Sequence, residues 1–232
     1  AQFNLAMMYQ EGRGVEQTDL DAGKWYLKAA EQANVSAQLN LGMMYQEGRG
    51  VEQSDSEAAK FYLKAAQEGE EKAQFYLGKM YKEGVGVEQN DTEATRWLIM
   101  AAEQENEKAQ IYLAWMYQEG EGVPQNLAEA VKWYQKSAQQ GNADAQFNLG
   151  LKYFYGEGIV QDFNEAIKWY RMAADQDHTE AQIWLGDISQ DGIFVPQDNV
   201  DAEKWYSKAA QKGDEKAQSK LEQMKKRPKQ ET

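Results

Sequence analysis

The stretch MMYQEGRGVEQ occurs twice, from Met7 to Gln17 and from Met43 to Gln53, at a spacing of 36 residues. Its paired glycines, Gly12 and Gly14, have two readings: a loop that cradles phosphate, or a turn in a repeated unit. A phosphate loop of the dinucleotide type follows a strand and opens directly into a helix. Here a helix-periodic segment comes first, and a six-residue connection separates the first glycine from the next helix start. A glycine just past a helix supplies the left-handed conformation that ends it without a side-chain clash. Gly-x-Gly recurs at Gly48, Gly84, Gly120 and Gly156, and one array has no use for five phosphate loops. The pair reads as a turn. In the sixth copy, Gly192-Ile193-Phe194, phenylalanine replaces the second glycine, so that loop is expected to differ, with Phe194 exposed or folded over the array end.

The repeat runs through the whole chain. Ala-Gln recurs at Ala1, Ala37, Ala73, Ala109, Ala145, Ala181 and Ala217, always 36 residues apart. A period of this size marks a solenoid, in which each unit buries its apolar face against its neighbours. Counting positions from that alanine gives units 1–36, 37–72, 73–108, 109–144, 145–180 and 181–216. A capping helix over 217–226 and a disordered tail over 227–232 are expected to follow.

Each unit reads as two helices. In the first, Ala at position 1, Leu at 5, mostly Met at 8 and usually Tyr at 9 share one helical face. Position 6 is Gly or Ala, which lets a second backbone approach. In the second helix Ala at position 22, an aromatic at 25 (Trp25, Phe61, Trp97, Trp133, Trp169, Trp205), Tyr or Leu at 26 and small residues at 29 and 30 share a face. Trp133 is expected to be buried between helices. Position 18 (Thr18, Ser54, Asn90, Asn126, Asp162, Asp198) is an N-cap type, and an acid follows three residues later, resembling a capping box. A base three further on (Lys24, Lys60, Arg96, Lys132, Lys168, Lys204) turns the acid into one half of an exposed ion pair.

These residues carry a resemblance. LGMMYQEGRGV (41–51) and AEKWYSKAA (202–210) resemble the Sel-one-like repeat (SLR) family, a tetratricopeptide-like group, over nearly the whole chain. The resemblance implies an all-α, right-handed superhelical solenoid of antiparallel helix pairs. It also implies non-catalytic adaptor work, often by bacterial proteins that are exported and meet host or envelope proteins. An inhibitory role, as in immunity proteins against bacterial toxins, is the alternative, with a hydrolase further behind. Some members rivet each unit with a disulfide; this chain has no cysteine and must rely on aromatic and alanine packing.

In such pairs the first helices line the concave side. On a helical wheel, positions 3, 7 and 10 lie opposite the packed face. Position 3 is always apolar (Phe3, Leu39, Phe75, Ile111, Phe147, Ile183) and reads as contact between neighbouring units. Positions 7 and 10 vary from unit to unit and read as a groove for a partner's peptide or helix. Trp115, Phe154 and Tyr155 are the candidate anchors, since aromatics dominate interface energetics, with Lys79 and Lys82 as bases for an acidic group. Met7 and Met43 give the first units an adaptable surface, whereas Met8 and Met44 read as core.

Little else carries chemistry. With 25 basic and 38 acidic residues the net charge is −13, which disfavours nucleic acid and anionic membrane as partners. No apolar run approaches a membrane span. The single histidine, His178, falls at a helix start expected on the surface. Asp187 and Asp191 lie four apart on one helix, but two carboxylates make a weak cation site. No cofactor or metal is implied. Ala1 falls inside a first helix, so more units are expected before it, and the basic run Lys225–Lys229 (KKRPK) reads as a solvated tail, with docking or targeting as the lesser reading. The turn reading has a direct check: calorimetry with ATP, GTP and NAD should give no saturable heat, and a signal abolished by changing Gly48 would restore the phosphate-loop reading.

Overall fold

The computed structural model describes residues 1–192 and 194–226, which form thirteen α-helices and no strand. The first helices of the repeats are α1 (Gln2–Glu11), α3 (Val35–Glu47), α5 (Glu71–Glu83), α7 (Glu107–Glu119), α9 (Ala143–Tyr155) and α11 (Thr179–Asp191). The second helices are α2 (Asp19–Ala30), α4 (Asp55–Gln67), α6 (Asp91–Glu103), α8 (Leu127–Gln139), α10 (Phe163–Asp175) and α12 (Asn199–Gln211). A final helix, α13 (Glu215–Lys226), stands where the capping helix is expected. The tail 227–232 and most of the basic run lie outside the described residues. The chain divides into two compact units, residues 1–125 and 126 onward, and within each unit every helix packs on the next in a helical solenoid.

Three side-chain devices repeat along the chain. The first is the glutamine of Ala-Gln. In five of the seven it is buried, and its amide donates to the last-turn carbonyl of the preceding second helix: Gln38 to Ala30 at 3.4 Å, Gln74 to Ala66 at 3.2 Å, Gln110 to Ala102, Gln146 to Ala138 and Gln182 to Ala174. Those carbonyls lack a partner within their own helix.

The second device is the tyrosine at position 26. Tyr26, Tyr62, Tyr170 and Tyr206 are fully buried. A Cβ added at Gly42, Gly150 or Gly186 would come within 2.5 Å of the corresponding Tyr62, Tyr170 or Tyr206 ring, so position 6 is small because the ring lies on its backbone. The third device is the second glycine of each turn. A Cβ at Gly50, Gly86 or Gly158 would sit 2.1, 2.3 or 2.3 Å from the carbonyl oxygen that opens the preceding second helix. The turn also needs a left-handed backbone, and φ lies between 66° and 75° at both glycines of the pair in the first five copies. The glycines are turn residues twice over: they end a helix, and they let one turn rest on the start of the preceding second helix.

The helix starts are capped, though by half a capping box. Ser54, Asn90, Asn126, Asp162 and Asp198 accept from the backbone three residues on; Thr18 does not. The reciprocal bond is missing because the cap's own N–H already donates to the position-9 carbonyl, as from Ser54 to Tyr45 at 2.9 Å. The acid turns to the base three residues further instead, as in Lys60–Glu57 and Lys168–Glu165. Asp201 departs, accepting from Ser189 and from the Trp205 indole.

Position 25 is core in three copies, where Trp97 joins Ala58, Tyr62 and Ala66, Trp205 joins Ala166 and Tyr170, and Trp133 is buried too; Trp25, Phe61 and Trp169 are partly buried. Met44 is buried as expected, but Met8 is exposed. Position 8 reaches the second helix of the preceding unit, as Met44 reaches Gly23, and no described helix precedes α1. His178 is not on the surface. Its side chain is 12% exposed and its ring stacks on Phe147 at 4.7 Å, while Nδ1 accepts the Ala181 N–H as an N-cap.

Two stability predictions follow from this packing. Replacing Trp97 by alanine should cost about 3–5 kcal/mol in denaturant unfolding; a loss below about 1 kcal/mol would mean that position 25 contributes little to the core. The glutamine amides supply a gain. Gln104 and Gln176 donate to the free oxygens of Gln74 and Gln146 at 2.8 Å, whereas the Gln38 oxygen is buried without a partner and the equivalent position carries Glu68. Glu68→Gln should therefore stabilise the fold by about 0.5–1.5 kcal/mol, and an unchanged midpoint would show that the orphan oxygen is already satisfied by water.

Candidate functional site

The three positions opposite the packed face turn out to have different duties. Position 3 packs on the core, as Phe3, Leu39 and Phe147 do. Met7, Met43 and Leu151 at position 7 are also partly buried against core clusters, which corrects their reading as free groove residues. Position 10 is corrected more fully. Gln10, Gln46 and Gln190 accept the hydroxyl of the buried tyrosine of their own unit, at 2.6, 2.8 and 3.0 Å. Burial raises the Tyr26 pKa to about 12 and Tyr62 further still, with neighbouring Glu11 and Tyr76 adding to it, so both stay neutral donors. A position that looks variable and solvent-facing is the polar end of the core.

Its variation follows the tyrosine. In the third copy position 26 is Leu98, which needs no acceptor, and position 10 is Lys82. Lys82 is 12% exposed and lies 3.2 Å from Asp91 and 3.7 Å from Glu121. It is thus an internal ion-pair partner, while Lys79, paired at 3.5 Å with Glu83, remains half open to solvent. Trp115, in the same unit, is half-buried with Tyr112 tilted against it at 5.7 Å.

In the second unit, Phe154 stands at position 10 and Tyr170 at position 26. Phenylalanine cannot accept, and the Tyr170 hydroxyl is buried without a partner. Burial and the neighbouring Tyr155 raise its pKa well above the ordinary tyrosine value. An orphaned buried donor costs about 1–3 kcal/mol. What replaces the hydrogen bond is a cluster of rings. Phe154 lies 5.1 Å from Tyr155, 5.4 Å from Phe163, 5.2 Å from Trp184 and 5.8 Å from Phe194, each edge to face. Phe194 stacks on Phe163 at 3.4 Å, and Trp184 stacks on Tyr170 at 5.7 Å. Such pairs contribute roughly 0.5–1.5 kcal/mol each beyond area burial.

Phe194 keeps the left-handed backbone of the glycine it replaces, with φ 66°, at a cost of about 1–2 kcal/mol. Its ring is nevertheless 46% exposed, and Tyr155 is 55% exposed. The expectation of an exposed Phe194 holds, and its ring lies over the start of α10. Trp115 belongs to the first compact unit and Phe154 and Tyr155 to the second, so each stands in its own setting. Sequence reasoning singled out Phe154, Tyr155 and Phe194 but missed Phe163 and Trp184. The available signal was that Phe163 occupies position 19, where most copies carry a polar residue.

Catalytic and metal alternatives find no geometry among the described residues. His178 has Nδ1 engaged as a cap and Nε2 at 3.3 Å from Asp144. Asp187 accepts from Tyr206 and pairs with Lys220 at 2.9 Å, and no group of three or more His, Cys, Asp or Glu gathers as for a metal. Among the described residues no helix is long and apolar enough to cross a membrane.

Comparison with known proteins agrees with this repeat. The chain is similar to a protective antigen of uropathogenic Escherichia coli with an SLR fold, at 36% identity and a TM-score of 0.92, covering 95% of this chain and 47% of that one. It thus spans about half the length of that relative. A Sel1 repeat protein from Oxalobacter formigenes is 33% identical, with a TM-score of 0.76 over 90% of this chain and 83% of that one. An immunity protein from Pseudomonas aeruginosa shares the fold at 21% identity, with a TM-score of 0.50 over 89% of this chain and 81% of that one. The comparison with curated proteins returned no match. The Sel1 repeat matches residues 1–34, 35–70, 71–106, 107–142, 143–178 and 179–214, and the chain belongs to the Sel1 repeat family.

Proposed function

We infer that the chain is a non-catalytic scaffold that binds a protein or peptide partner. Sel1 repeat proteins are generally protein–protein interaction scaffolds. The observation that carries the reading here is the pair of open rings, Tyr155 and Phe194, where the other copies carry acidic residues or glycine. Aromatics in water are unfavourable, and a contiguous group of them often marks an interaction site. Phe154 supports the surface from below rather than meeting a partner alone. Trp115 with Lys79 offers a smaller surface on the first unit, and Lys82 contributes to it through the acids it holds. A bacterial setting with host or envelope partners is in keeping with the relatives, and the surface offers nothing to nucleic acid.

The test is capture from host or bacterial extract followed by mass spectrometry, comparing the full chain with a Trp115→Met, Tyr155→Gln variant. Both changes leave the repeat's core devices intact, so the melting temperature should shift by no more than ~3 °C. Capture of the principal partner should fall at least about tenfold, as loss of a hot-spot aromatic does. Equal capture by the folded variant would remove these residues from the binding surface, and a chain that captures nothing would sink the scaffold reading.

A further inference from the structure

Resting on the scaffold reading, and naming the partner chemistry at one of its surfaces, we propose that the aromatic cluster of the second unit docks a basic peptide segment, an apolar anchor residue flanked by arginine or lysine. The apolar half of the argument is the ring group itself. Tyr155 and Phe194 leave half of their surfaces in water above Phe154, Phe163 and Trp184. Each departs from a residue that serves the other copies. Phe154 displaces the acceptor of a buried hydroxyl, and Phe194 occupies a left-handed backbone that glycine fits. Strained and unsatisfied groups gathered in one place point toward function.

The charged half comes from the two turns that carry the rings. Residues 155–163 (YGEGIVQDF) and 184–199 (WLGDISQDGIFVPQDN) contain Glu157, Asp162, Asp187, Asp191 and Asp198 and not one lysine or arginine. Glu157 is paired with the buried Lys152, and Asp187 with Lys220. Asp162 and Asp198 each cap a helix with one carboxylate oxygen, and among the described residues they, like Asp191, make no ion pair. A ring surface carried on turns with uncompensated carboxylates attracts cations twice, through the acids and through the faces of Tyr155 and Phe194. The same field turns away a second copy of this chain, whose net charge is −13, and any phosphate-bearing ligand.

The array supplies folded controls from its own sequence. Phe194→Gly restores the residue of the other copies, and Tyr155→Gln removes an exposed ring without adding charge. Asp162→Asn and Asp198→Asn keep their caps, because Asn90 and Asn126 cap the same position elsewhere. Random dodecapeptides displayed on phage would be selected on the full chain, and the enriched ones measured by fluorescence anisotropy. The expected winners carry lysine or arginine on both sides of a leucine, phenylalanine or tryptophan. Their affinity should fall at least about tenfold on the Phe194→Gly, Tyr155→Gln chain. It should fall several-fold on the Asp162→Asn, Asp191→Asn, Asp198→Asn chain, and in ~0.5 M salt. Acidic or uncharged winners, winners that bind both variants as tightly as the parent, or no enrichment at all would overturn the proposal. Winners that ignore these variants leave the scaffold reading standing, because the extract capture judges it separately.

Discussion

One side chain ties each repeat to the one before it: the buried glutamine that donates to the final-turn carbonyl of the preceding second helix. Its constraint is exact in register, because a helix end leaves only a few free carbonyls and the amide must meet one of them while excluded from water. A residue gained or lost between two glutamines would leave the buried amide without its acceptor. The uninterrupted spacing of 36 is therefore a consequence of hydrogen bonding as much as of apolar packing.

Once that register is fixed, the other devices fall into place around it. The tyrosine at position 26 reaches across to position 10 over a position 6 that is never larger than alanine. Gly50, Gly86 and Gly158, second glycines of their turns, rest on the first residue of the preceding second helix in a backbone approach that leaves no room for a Cβ. These contacts link three sequence positions at a time. That explains why Lys82 appears opposite Leu98, and why Phe154 opposite Tyr170 leaves a hydroxyl unmet: changing one member alters what its partners need.

This coupling also sets what the sequence makes legible. Helix number, repeat boundaries to within a few residues, turn glycines, caps and the aromatic core position follow from periodicity, which sums over six copies. The duty of position 10 does not. Gln10, Gln46 and Gln190 look like surface residues, and only the buried tyrosine hydroxyl at 2.6–3.0 Å makes them core. A helical wheel separates faces of one helix and knows nothing of a polar atom arriving from another. His178 misleads for the same reason, since the Phe147 ring that covers it comes from another helix. Phe154, Tyr155 and Phe194 could be noticed as departures, but their assembly into one cluster with Phe163 and Trp184 depends on how the turns stack.

The stacking explains why the departures occur together. A phenylalanine at the second-glycine position cannot repeat the close approach of Gly158 to Leu127, so its Cβ needs the turn held further from the helix start. Phe163 at that helix start gives the displaced ring a flat surface, and Phe154 closes its edge. With Phe154 in place the Tyr170 hydroxyl loses its acceptor, and Trp184 stacks on the ring that carries it. Each substitution alone conflicts with the repeat, whereas the set is self-consistent apart from one orphaned hydroxyl and two rings left partly in water. Those residual costs are concentrated on one exposed face of the second unit. Elsewhere the buried glutamines recur from copy to copy, and the tyrosine device lapses only in the third copy, where Leu98 and Lys82 replace it, so the array can carry a locally unfavourable surface without losing its register.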